Sequence, residues 1–566
     1  MQHSPWQRDM ISGLLSFLLS SCSSSLLLFL PVVVVVVFFL ASRRLLHDTK
    51  PPSGPPPPPP GSISCLPRLP ILGSLPWLGG RLPPHLLFTQ LSHRYGCLFA
   101  LHLGPHYTVV VNSHRHAREV LLQRGRDFAG RPSMVTTNLL TRGGKDIAFS
   151  DYSPLWKLHR RLVHNSFTLF GEGTSRLQDI VLSAVDSLCV ELMSSGGRGF
   201  DPSPAVTRAV TNVVCTLVFS GTYRHGDAEL QEVIQYNNGI VQTIARGGLV
   251  DIFPWMKVFP NESLSKLKEC IDVRDRLLTR KLEEHKASLS DGDPRDLLDA
   301  LLKGKTGRQG QRSSDSEDEG ITDDHVLMTA AEAFGAGVET TSTTLLWILA
   351  YLLHHPEVSD PTASSTNNKE THSHVTVDLQ VQQRVQKELD EHVGGERPVS
   401  VSDRGRLPYL DCVINEGMRI RPVSPVLIPH TAVTDSSIGG HAVRRGTRVL
   451  VNMWAIHHDP KNWDKPDLFN PDRFLDDRGQ RIIPSGFLPF GAGPRVCVGE
   501  SLARVELFLL LSSLLQRMSF WLPDGVPPPN LQGRLGVVLQ PLPYKVVVIP
   551  RTGWRAGLNE GGGTDN

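Results

Sequence analysis

The hydrophobic pattern changes character more than once along this chain. From Ile11 to Ala41, 31 positions pass without a charge, and Leu26 to Phe39 is aliphatic or aromatic except for Pro31. A run of that length crosses a bilayer. Arg43, Arg44 and Lys50 follow it, whereas Arg8 before it is balanced by Asp9, so the excess of cations places everything after residue 43 on the cytosolic side. A cleaved leader would have a shorter apolar stretch and a small-residue cleavage site. The competing reading, a buried core helix, is opposed by six consecutive valines and the absence of any polar face. Residues 1–43 are therefore expected to be a retained single-pass anchor.

Residues 44–65 read as a linker, because six consecutive prolines between Pro51 and Gly61 favour an extended polyproline II spacer. The body is expected over 66–551, with a Gly-rich polar tail over 552–566. Leu98 to Leu103 and Thr108 to Val111 read as short strands around Gly104-Pro105. Beyond His114 the apolar spacing is helical: Ala117 to Leu122, Leu155 to Phe167, Leu177 to Met193, Leu264 to Leu282 and Leu297 to Leu302. Gly304 to Gly320 is polar and aperiodic and reads as an exposed loop. Thr322 then caps a long helix whose apolar positions, Leu327, Ala331, Phe334, Val338, Thr341, Leu345, Ile348 and Leu352, alternate spacings of four and three until Pro356 ends it. At 1.5 Å per residue that helix spans about 48 Å, the width of a large domain. The expected fold is mainly α with small β-sheets (α+β).

Val358 to Gln380 interrupts this order. It has no apolar period, and deleting it joins Glu357 to Val381 in one continuous helical passage. Structureless stretches of this length are rare in compact bodies. The segment 358–380 reads as a gene-specific insertion or a retained in-frame intron, since Val358-Ser359 and Leu379-Gln380 can both be written with codons that match splice boundaries.

Composition narrows the classes. The chain has 566 residues, with 58 Lys+Arg against 56 Asp+Glu and a net charge of +2, which excludes a polybasic nucleic-acid binder. Forty per cent hydrophobic and 20% charged residues fit a globular body. Eight scattered cysteines without a CxxC pair argue against a disulfide framework or zinc module.

The strongest chemical signal is Phe490-Gly491-Ala492-Gly493-Pro494-Arg495-Val496-Cys497-Val498-Gly499. Its glycines let backbone amides approach a sulfur, Arg495 offers a fork of donors to a carboxylate, and Gly499 lets the next helix pack on a flat group. A core cysteine after a glycine turn is the competing reading; five matched positions favour the first. The stretch resembles the FxxGxRxCxG loop of the cytochrome P450 superfamily, which implies that Cys497 is the axial thiolate of haem b iron and Arg495 a propionate contact. Glu416-Gly417-Met418-Arg419 and Pro471-Asp472-Arg473-Phe474 resemble the ExxR and PxRF elements of that superfamily, a structural network. Trp156 and Arg160 match its WxxxR element, and resemblance adds Arg131 and His430 as further propionate contacts. Ala336-Gly337-Val338-Glu339-Thr340-Thr341 resembles its oxygen-activation motif: Ala336 and Gly337 leave room beside the iron, Thr340 interrupts helical hydrogen bonding to hold water, and Thr340 with Glu339 relays protons.

Asp127 to Pro132, Lys157 to Arg161, Phe334 to Thr341, Val426 to His430 and Asp435 to Gly439 look like the steroid 17α-hydroxylase/17,20-lyase branch. That resemblance implies a steroid pocket in which Asn237, in a polar loop, anchors the A-ring oxygen, Arg274 lies near the same end, and Ala336, Val423 and Val538 line the end near the iron. It also implies an endoplasmic reticulum membrane enzyme fed with NADPH electrons by a separate flavoprotein reductase, with a microsomal b-type cytochrome as a second partner. One departure stands out: the branch carries a basic residue just before the ExxR glutamate, and here that position is Asn415, while Arg404 and Arg504 are kept. Weaker docking of the acidic b-type cytochrome and weak 17,20-lyase activity are expected. The alternatives are a haem-binding protein without turnover, and another steroid or lipid hydroxylase such as a 21-hydroxylase.

Overall fold

A computed structural model of the protein describes residues 62–80, 82–169, 175–223, 226–245, 248–309, 320–354 and 372–552. The expected anchor, the proline run, residues 358–371 and the tail beyond Thr552 lie outside the described residues. The body starts earlier than Leu66, because Ala100 N–H donates to Ser64 O at 2.7 Å and Leu66 N–H to Ala100 O at 2.9 Å.

Strands β1 (Leu98–Leu103) and β2 (His106–Val111) form the expected hairpin, in register from Leu98 opposite Val111 to Leu103 opposite His106. Gly104 turns it at φ +57°, where a side chain would meet Ile252 and Phe253. β2 runs parallel to β4 (Arg448–Val451), which pairs with β3 (His430–Thr431), giving the order β1-β2-β4-β3. His430 thus sits on an edge strand.

The remaining frame is helical: α1 (Pro154–Thr168), α2 (Ser175–Met193), α3 (Ser203–Phe219), α4 (Ala228–Ala245), α5 (Glu262–Ser288), α6 (Leu297–Gln309), α7 (Asp323–Leu353), α8 (His372–His392), α9 (Pro408–Ile420) and α10 (Glu500–Arg517). Two sequence expectations need correction. α6 continues to Gln309, so the exposed loop does not begin at Gly304; 304–309 close the last turns. α8 begins at His372, so the last part of the aperiodic 358–380 stretch is helical backbone, a helix extended backwards from the strongly periodic residues after Val381.

α7 organises everything else. Asp323 and Asp324 occupy its positively polarised first turn, and Thr322 N–H donates to His325 Nδ1 at 3.1 Å. From Thr341 to Leu353 every residue is buried. Trp347 is fully enclosed and donates its indole N–H to Leu539 O at 2.7 Å. Among the described residues α7 is the one helix long and apolar enough to cross a membrane, and its burial marks it as the core helix. α9 approaches it closely through Gly417, where a Cβ would fall 2.4 Å from Ile348 Cγ1. Midway along α7 the pattern breaks: Ala336 is exposed, and Gly335, Gly337 and Thr340 are partly accessible, although core residues flank them on both sides. An internal slot runs past that point.

Candidate active site

Cys497 stands on the loop leading into α10. Gly493 holds φ +71°, and a Cβ there would fall 1.7 Å from Leu121 O, so only glycine fits. The turn is closed by Cys497 N–H donating to Phe490 O at 3.0 Å. The sulfur is solvent-accessible although protein surrounds the residue, which means that it opens into the interior slot. Burial pushes its thiol pKa up, while the Gly499 amide and the Arg160 cation act in the opposite sense. A metal cation at the sulfur would remove the proton outright.

Beside this loop three guanidiniums converge. Arg495 donates to Ala129 O (2.7 Å), Ile147 O (3.0 Å) and Ser150 O (2.8 Å). Arg131 donates to Ala148 O (2.7 Å) and to Ile428 O and Pro429 O (3.0 Å each). Arg160 bonds Val496 O, one residue from the cysteine. The Trp156 indole N–H reaches Ile147 O at 2.9 Å. Burial, then repulsion from Arg495, brings Arg131 down to about 9; burial, then repulsion from Arg160, brings Arg495 down to about 10. His430 is driven to about 3 by burial and by Arg131, and its Nδ1–H donates to Phe128 O at 2.8 Å, which leaves Nε2 an acceptor. A carboxylate neighbour would raise that pKa and turn Nε2 into a donor. A cationic cluster beside a slot that ends on a cysteine sulfur fits a tetrapyrrole with two propionates. These residues fit haem b; bound there, it supplies the iron that activates dioxygen.

Across the slot, Thr340 donates its hydroxyl to Ala336 O at 2.7 Å. α7 runs on through this point, with the Thr340 hydroxyl bonding back one turn. Glu339 turns away from it, buried, with Gln540 Nε2 donating to its carboxylate at 3.0 Å; burial raises its pKa. Thr340 and Glu339 are thus directed to different partners.

The steroid-end residues fall on helices facing this stretch. Asn237 lies on α4, buried, not in the polar loop expected from its neighbours; its Oδ1 faces Gly335, where a Cβ would be 3.6 Å away. Arg274 on α5 is buried, bonded to Asp275 at 2.8 Å, with Met328 Sδ of α7 at 3.8 Å. Met328 to Ala336 spans about 12 Å along the helix, the scale of a flat four-ring nucleus. Val423 O accepts from Leu539 N–H at 2.9 Å, which ties the two segments assigned to the iron end. Val538 is buried, whereas its neighbour Val537 is 44% exposed. The sequence reading overlooked Asp146 and Glu332, a carboxyl pair between the α7 slot and the cationic cluster; a glutamate one turn before Ala336, on an otherwise apolar stripe, was the signal.

Asn415 is 2% exposed and accepts from Arg504 Nη1 at 3.0 Å, so it lies beneath the cationic side chain and not on the surface beside it. Arg504 also reaches Glu500 at 2.9 Å, and Arg404 is held by Asp411 at 3.1 Å.

A helical body whose longest helix lines a slot ending on a cysteine sulfur defines a haem-thiolate monooxygenase. The chain belongs to the cytochrome P450 family, whose pattern matches residues 63–362 and 374–548. It is 50% identical over 495 residues to steroid 17-alpha-hydroxylase/17,20 lyase of Ictalurus punctatus (87% of this chain, 92% of that one) and 50% identical over 500 residues to the enzyme of that name from Oryzias latipes (87% and 92%). A zebra fish cytochrome P450 structure with progesterone matches at 62% identity and TM-score 0.72, covering 83% of this chain and 100% of that one. Another, with abiraterone, matches at 60% and 0.71, with the same coverage.

Proposed function

We propose that this protein is a steroid 17α-monooxygenase of the endoplasmic reticulum membrane, hydroxylating progesterone or pregnenolone at C17 with dioxygen and NADPH electrons delivered by a flavoprotein reductase. The observation that carries the reading is the open stretch in the otherwise buried α7: Ala336 is exposed and Gly335, Gly337 and Thr340 are partly accessible, with the buried Asn237 amide facing Gly335 and Arg274 at Met328, about two turns before it. An apolar ligand with a single polar oxygen fits that layout, since burial supplies affinity and one hydrogen bond sets orientation. The likeness to a structure with progesterone supports the same ligand class.

In this reading Ala336 admits the ring system, Thr340 holds a proton at its hydroxyl near the reacting carbon, and Glu339, buried and accepting from Gln540, stands behind it as a carboxyl whose pKa burial raises. Arg131, Trp156, Arg160, Arg495 and His430 hold the cofactor's carboxylates. Incubation with reductase, NADPH and each steroid, followed by product analysis, is expected to give 17α-hydroxylated steroid. Cys497→Ala is expected to abolish both product and the reduced carbon monoxide band near ~450 nm. Product hydroxylated only at C21 would reject the reading in favour of a 21-hydroxylase, and a normal band with no product would favour a haem binder without turnover.

A further inference from the structure

Glu332 lies one turn before Ala336 and two before Thr340, so all three share the accessible stripe of α7. Its carboxyl accepts two backbone N–H groups from one loop, Ile147 at 2.9 Å (Oε2) and Ala148 at 2.8 Å (Oε1). Asp146, the residue before them, is 1% exposed. Its Oδ2 accepts from Phe149 N–H at 2.7 Å, while its Oδ1 is buried without a partner among the described residues. Neither carboxylate can donate to the other unless one keeps a proton. The loop they hold also supplies the carbonyls that receive Trp156, Arg131 and Arg495, from Ile147, Ala148 and Ser150. Arg142 pins its entrance to Asp275 at 2.9 Å, beside Arg274, and to Asp324 at the start of α7.

We propose that Glu332 and Asp146 share one proton and form a latch that clamps residues 146–150 to the central helix, which makes both of them positioning residues for the steroid. Ile147 packs in the same buried cluster as Phe334 and Val338 of α7, so a loosened loop opens the wall of the slot. The latch rests on the steroid reading above only for its ligand. Burial, followed by the Asp146 charge, raises Glu332 well above the ordinary carboxylate range. The groups facing the pair are the cations of Arg131, Arg160 and Arg495 and the buried, neutral His159. A raised acid is bound most firmly as the proton-carrying form, so the clamp is whole at low pH and weakens as pH rises through the raised value.

The test compares Glu332→Ala with Glu332→Gln in the haem-loaded enzyme. The amide of glutamine can donate to Asp146 Oδ1 through its nitrogen and still accept one of the two loop N–H groups through its oxygen, whereas alanine can do neither. Two readouts are taken: progesterone affinity by spectral titration, and hydrogen exchange at the Ile147 and Ala148 amides. E332A is expected to weaken binding about tenfold and to speed exchange at both amides by a similar factor, with E332Q within about twofold of wild type. Equal behaviour of E332A and E332Q, in either direction, would overturn the latch. If E332A yields no loaded protein, E332Q and wild type are compared at pH 7 and pH 9: faster exchange at pH 9 beyond the intrinsic rate in wild type alone supports the latch, and the same response in both rejects it. Exchange is read without ligand, so a wild type that binds no progesterone defeats the steroid reading and leaves the latch to be judged on the amides.

Discussion

At Gly493 the left-handed backbone and the nearby Leu121 carbonyl leave no room for a methyl group. Gly493→Ala is expected to cost at least ~2 kcal/mol and to displace the cysteine loop; the haem-loaded fraction per mole of protein, read from the reduced carbon monoxide band, should fall several-fold. Asn237→Ala removes one buried polar anchor, worth about 1–2 kcal/mol if it bonds the steroid oxygen. An increase of about tenfold in KM with kcat nearly kept is therefore expected from initial-rate measurements. Residue placement was legible where spacing is short: Cys497, Arg495, Glu416 and Arg419 all stand in local patterns. Asn237 was assigned to a loop because Asn237-Asn238-Gly239 reads as a turn, yet Val233, Tyr236 and Ile240 carry a helical period that buries one face of α4. Glu332 and Asp146 are 186 positions apart, and no local rule joins such a pair.

Elements were legible in proportion to the contrast between their faces. The capping signals and apolar period of α7 predicted its ends to within a few residues, as did the hairpin turn at Gly104. α3 went unnoticed, and α10 was expected only as the helix after Gly499 without its extent, because both are apolar on nearly all sides and burial on every face erases the period that sequence reading relies on. The Glu416 network joins α9 to the segment holding Arg473. Glu416 is fully enclosed and accepts from Arg419 at 2.7 and 2.9 Å, Asn470 N–H at 2.8 Å and Arg473 at 3.1 Å. Removing it strands Arg419 without its counter-charge, so Glu416→Ala should cost about 3–5 kcal/mol in denaturant unfolding. A second tie joins α5 to the start of α6. Burial opposes protonation of His285, but Asp296 at 2.8 Å outweighs it and the imidazole pKa rises. The stability this pair adds is whole below the ordinary histidine range and is lost as pH climbs through the raised value. Thermal unfolding should therefore occur at lower temperature as pH rises from 6 to 9, and Asp296→Asn should flatten that slope.

For the molecule as a whole, the departure from the branch this chain resembles is Asn415, the residue before the ExxR glutamate. Asn415 lies buried beneath Arg504 and accepts from it, so a cation placed there would push against Arg504 as well as add charge. Asn415→Lys is expected to raise carbon–carbon cleavage relative to hydroxylation by ~2-fold when the b-type cytochrome is present, through the charge it adds beneath Arg504; product ratios with and without that cytochrome check it, and no change in either mixture would show that charge at this position is not what limits cleavage. Residues 363–373 interrupt the family match, and sequencing the transcript across codon 358 distinguishes an insertion from an unspliced intron. The crowding of Arg131, Arg160 and Arg495 has a consequence for biosynthesis. A polypeptide that gathers three like charges around a place meant for two carboxylates keeps its final shape reluctantly until those anions arrive, so cellular yield of the mature protein should follow porphyrin supply, by simple mass action, more closely than it follows messenger abundance.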